Sequence, residues 1–207
     1  MAEYRITIAN TGTGISEALE LTERIAESIG LKGKDLLRLR LLAEEMLGMV
    51  RAIAGEFSAQ FWIEHKDKEC TLHLSAKSDL DYGKRRELLS VSTSGKNTAS
   101  IGIMEKIRGI FEAGLWGMEE SFALQAEYGT GMLGYGALGA IDGGMSDAIY
   151  SWSMQKYKED VQAGKNPDAW DELEKSIIAN LADEVSVGVR RDGVELIVRK
   201  NYGKSNG

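Results

Sequence analysis

"LRLRLLAEEMLGMVRAI", Leu37 to Ile53, reads as the middle of a long helix. At about 100° per residue, Leu36, Leu39, Leu42, Ala43, Met46, Val50 and Ile53 form one broad apolar face. That face is predicted to pack on a sheet. Leu37, Leu41, Glu44, Gly48 and Ala52 fall on the opposite side. A helix facing bulk water would carry lysines and glutamates there. This one carries leucines, a carboxylate and a bare backbone position. The residues alone leave two readings open. Either the helix packs on both sides and Glu44 reaches solvent or pairs with Arg40 or Arg51, or the carboxylate serves a site.

Outward from this helix, the elements order themselves. "EYRITIA" alternates and is rich in β-formers, so residues 3–9 are predicted to be a strand. A turn, "NTGTG", leads to a helix whose apolar positions run from Ile15 to Ile29 and which stops at Gly30. The second helix is predicted from about Lys34 to Glu56. "SAQFWIEH" and "CTLHLSAK" flank the polar turn "KDKE" and should form an antiparallel hairpin. "TASIGIMEKIRGIFEAG" is helical in pattern, "MSDAIYSWSMQKYKEDVQAG" reads as an aromatic helix, and the segment after Pro167 is a helix opened by proline and acids. "VSVGVRRDGVELIVRK" closes as a hairpin around Arg191, Asp192 and Gly193. The sum is an α+β two-layer sandwich, one mixed sheet with helices on one face.

Composition narrows the classes. The chain has 207 residues and a net charge of −7, which argues against nucleic acid or an anionic membrane as the main partner. One cysteine, Cys70, excludes an internal disulfide and a cysteine-rich metal site. His65 and His73 lie on the first hairpin and are read as surface or flanking residues, so no metal site is predicted. "MAEYRITIAN" lacks the charged-then-apolar pattern of a signal, and no window reaches the roughly 18 apolar residues of a membrane helix. A cytoplasmic location is the expectation. No Ser/His/Asp or Cys/His spacing suggests a hydrolytic triad, and the basic pairs Arg85-Arg86 and Arg190-Arg191 are read as solvated.

"LRLLAEEMLGMV", on the second helix after a strand and a helix, resembles the N-box of the GHKL (Bergerat-fold, histidine kinase-like) ATPase superfamily, nearest its anti-sigma-factor serine kinases. In that pattern a glutamate activates the attacking group, and an asparagine four residues later holds magnesium on the phosphates. The resemblance implies Glu44 as general base. The asparagine position is Gly48, which has no side chain to ligate magnesium. The family's Asp-x-Gly-x-Gly adenine loop is matched in its first half by Asp81-Tyr82-Gly83, with Arg85 in place of the last glycine. Asp79 or Asp81 would then bind the adenine amino group.

Two segments suit the phosphate lid. One contains Gly95, Lys96, Asn97 and Gly102 and leads into a helix. The other, "GTGMLG", contains Gly129, Gly131 and Gly134. The first fits the family's order better. The resemblance covers about 1–112 and 168–207 of a single domain spanning 1–207, with 113–167 as a helical, glycine-rich insertion. Aromatic residues gather there, from Trp116 to Tyr157, and read as a local core or a partner surface. What the resemblance implies is a regulatory protein that binds ATP or ADP with weak or no catalysis. The alternative is an interaction module with the same fold and no nucleotide. The expected partner is a regulatory protein or a second copy of the chain, not nucleic acid or a membrane.

Overall fold

A computed structural model describes residues 4–53, 57–77, 102–116, 150–163, 169–190 and 193–203. Strand β1, Ile6–Ala9, buries Ile6 and Ile8 and turns Thr7 outward. The chain then reverses tightly through Gly12 and Gly14, both at positive φ. A Cβ at Gly14 would collide with the Thr7 carbonyl oxygen, so only glycine fits this corner. Helix α1, Ile15–Ser28, follows and buries Ala18, Leu21, Thr22 and Ala26. Its end is a Schellman turn: Gly30 takes φ 76°, and the Leu31 N–H reaches back to the Ala26 carbonyl at 2.9 Å.

Helix α2, Lys34–Arg51, buries the face read from its sequence: Leu39, Leu42, Ala43, Met46 and Val50, joined by Leu47 and Met49. The hairpin of β2, Ser58–Lys66, and β3, Glu69–Lys77, turns through Asp67 and Lys68, with Asp67 accepting a φ of 54°. Helix α3 is Ile103–Trp116, and α5 and α6 are the short helices Ala169–Lys175 and Ile177–Leu181. The closing hairpin is β5, Glu184–Arg190, and β6, Gly193–Asn201.

Two differences from the sequence reading have physical causes. Tyr150–Ser153 is a strand, β4, and helix α4 begins only at Met154 and runs to Gln162. Ser153 caps it by accepting from the Lys156 N–H at 3.3 Å. Four residues are too few to show a two-residue period beside a helix. Trp152, Met154, Tyr157 and Val161 join the main core, so this part of the 113–167 segment packs within the main sheet and its helices.

Secondly, the sheet is antiparallel throughout its six described strands, not mixed; its order is β1-β2-β3-β6-β5-β4. The two helices read from the sequence connect β1 to β2. Each reverses the chain, so β2 returns antiparallel to β1.

Alternate strand residues, among them Phe61, Leu72, Leu74, Val187, Leu196 and Val198, face the helices in one core. Gly114 lets α3 lie close to the sheet, since a Cβ there would come within 2.7 Å of the Val194 Cβ. Gly193 does the same for the β3–β6 approach, where a Cβ would strike the Ala76 carbonyl. No described helix is long and apolar enough to cross a membrane.

Candidate functional site

Helix α2 turns its second side outward. Leu37 is 56% exposed and Leu41 39%, while Gly48 and Ala52 are exposed as well. Glu44 sits on the flank nearest α1. Its Oε1 accepts from Arg40 Nε at 2.9 Å, one helical turn earlier, and the same guanidinium also pairs with Glu23 of α1. Glu44 is thus the end of a Glu23–Arg40–Glu44 chain that ties α1 to α2. The Arg40 pairing was an option within the first sequence reading, but the packing on both sides that went with it is not found, because the second side is exposed. With both partners about two-fifths exposed, such a pair is worth roughly 0–1 kcal/mol.

Glu45 lies on the other flank. Burial, and then the charge of Glu44, push its carboxyl above the usual carboxylate range. Around Gly48, a Cβ would meet nothing within 4 Å. The helix therefore offers no second ligand where the magnesium-binding asparagine would stand. Among the described residues, no group of three or more His, Cys, Asp or Glu side chains could hold a metal ion.

Gly102 lies just before α3, half-buried, with its carbonyl accepting the Lys106 N–H at 3.0 Å. Asp79, Asp81, Gly83, Gly95, Lys96, Asn97, Gly129 and Gly131 lie outside the described residues.

Two polar clusters were not anticipated. On the sheet face away from the core, His73 is 6% exposed and Glu195 7%. His73 is therefore no surface residue. Its Nδ1 stands 3.2 Å from Glu195 Oε1, and Glu195 Oε2 accepts from Arg190 at 2.8 Å. Arg190 is accordingly held in an ion pair rather than simply solvated. The His73 ring stacks on Trp62 at 4.6 Å and 6°, and Arg5 covers Trp62 at 4.0 Å. The Glu195 carboxylate at Nδ1 can accept a proton carried on that nitrogen. The other ring nitrogen, Nε2, is buried 3.7 Å from Glu64.

The second cluster is within the core layer. Lys106 of α3, itself buried, donates to the Tyr157 hydroxyl of α4 at 2.6 Å. The signal that could have placed His73 and Glu195 on the non-core face is the strand periodicity, since Leu72, Leu74, Leu196 and Val198 alternate with them. Nothing in the spacing showed that residues 122 positions apart would meet.

Searches of protein-family models, curated proteins and solved structures found no match to this chain.

Proposed function

We propose that the chain is a regulatory binding protein on a scaffold similar to the anti-sigma-factor kinases, with little or no phosphoryl transfer. Support for the scaffold is the order of elements. A strand and two helices precede a hairpin, a helix follows, and the closing hairpin inserts β6 between β3 and β5. The observation that carries the loss of catalysis lies on α2. The Glu44 carboxylate is engaged by Arg40, and Gly48 presents no ligand for magnesium. The reading keeps weak binding of ATP or ADP through Asp81 and Gly83, the residues that the resemblance assigns to adenine.

The test combines thermal shift with turnover. ADP and ATP should raise the melting temperature slightly at millimolar concentration, and magnesium should not enlarge the shift. Phosphate release should stay at background in the wild type and in Glu44→Gln alike. Brisk magnesium-dependent turnover that Glu44→Gln abolishes overturns the proposal. Indifference to nucleotide at millimolar concentration removes the nucleotide and leaves a protein-binding module.

A further inference from the structure

The outward ridge of α2 is self-complementary, and we infer that two copies of the chain associate through it, helix against helix and antiparallel. This inference stands on the α2 surface and not on the nucleotide reading. Leu37, Leu41 and Gly48 form the centre line of the ridge, and the leucines are exposed. A two-fold axis midway between the levels of Leu42 and Ala43 brings Leu37 of each copy opposite Gly48 of the other. There the missing side chain leaves open space for it. The two Leu41 side chains meet near the axis.

The charges follow the same symmetry. The first half of the helix carries Lys34, Arg38 and Arg40 against one acid, Asp35, and the second half carries Glu44 and Glu45 before Arg51. A two-fold of this kind keeps each flank on its own side. On the α1 flank, Arg40 of one copy falls within about 1.5 Å, along the axis, of the level of Glu44 of the other. On the opposite flank, Arg38 falls within about 3 Å of the level of Glu45. A parallel pairing would instead cross the flanks and set Arg38 against Arg40 and Glu44 against Glu45. Antiparallel pairing gives Glu45, crowded by Glu44 within its own chain, a cation across the interface. Within its own chain Arg38 pairs with Asp35, an exposed pair at 3.1 Å.

Size decides the strength. An 18-residue helix is about 27 Å long, and one helix pair covers less than the roughly 1,200 Å² of a standard interface. The dimer is therefore weak and reversible.

Sedimentation equilibrium of the full chain without nucleotide, from low to high micromolar, should show a monomer–dimer equilibrium. Leu41→Asp should weaken it by about tenfold or more while circular dichroism and melting temperature remain those of the wild type, because the residue is exposed. Arg38→Glu and Glu45→Arg should each weaken it. The two together should restore it, an outcome that a purely structural role for either residue would not give. A wild type that stays monomeric throughout overturns the inference. So does a Leu41→Asp chain that dimerises as tightly as the wild type, since the dimer would then use another face.

Discussion

Glu45 and Cys70 show how burial changes the chemistry of single groups in this fold. The folded-state pKa of Glu45 is raised, by burial first and by Glu44 second, so its sign is the reverse of a salt-bridged carboxylate. Below the ordinary carboxylate range the group is neutral in both states and contributes nothing. As pH rises from that range through the raised folded value, the unfolded chain ionises first and the folded state loses stability. Above it the penalty is constant. Glu45→Gln should therefore melt with the wild type in acid and about one to two degrees above it at neutral pH, measured at low protein concentration. A gain that is largest in acid would contradict the assigned cause. Cys70 is fully buried on β3, and burial, then Glu69, push its thiol up to about 11. Since the thiolate is the nucleophile, the folded protein should resist thiol reagents at neutral pH. Labelling should follow the denaturant unfolding curve, and prompt labelling of the native chain would show that the strand opens locally.

At the scale of the element, helix α2 separates what sequence could reveal from what it could not. Its core face was legible, because 3.6-residue periodicity survives over 18 residues. So were the end of α1 at Gly30 and both hairpins, whose turns carry local chemical signals. The engagement of Glu44 was legible only as an option, since the arginine that holds it also depends on Glu23 from another helix. Short β4 left no period to read, and the Lys106–Tyr157 contact joins residues 51 positions apart. The two glycines of this region also part company. Gly48 has no positive φ and open space at its Cβ, so Gly48→Ala should stabilise the monomer by about 1 kcal/mol through helix propensity. Gly14 has φ 82° and backbone in the way, so Gly14→Ala should cost at least about 1 kcal/mol. Chemical denaturation of the two variants checks both signs. If the first destabilised the chain, Gly48 would be packed against something rather than open.

In the whole molecule, the decisive question is whether the β4–α4 segment is part of the fold or an appendage. Composition drew a boundary around residues 113–167, because glycine and aromatic density change there and nothing local reveals long-range pairing. The geometry of the segment's described part points the other way. β4 pairs with β5 along Tyr150 to Ser153, setting Trp152 opposite Val187. Trp152 and Tyr157 contact each other at 6.0 Å between ring centroids, and Tyr157 receives the ammonium of buried Lys106 from α3. Removing the indole would open a cavity against β5 and loosen the ring that satisfies a buried cation. Trp152→Ala should therefore cost about 3–5 kcal/mol, and the loss should be global. Amide exchange at Leu196 and Leu72, two and three strands away in the sheet, should accelerate by the same free energy as the urea midpoint reports, in a single transition. An insertion that folded by itself would behave otherwise: the mutation would produce a separate early transition, with exchange in β3 and β6 unchanged. That result would restore the compositional boundary, and deleting residues 118–164 would then leave the remaining sheet intact.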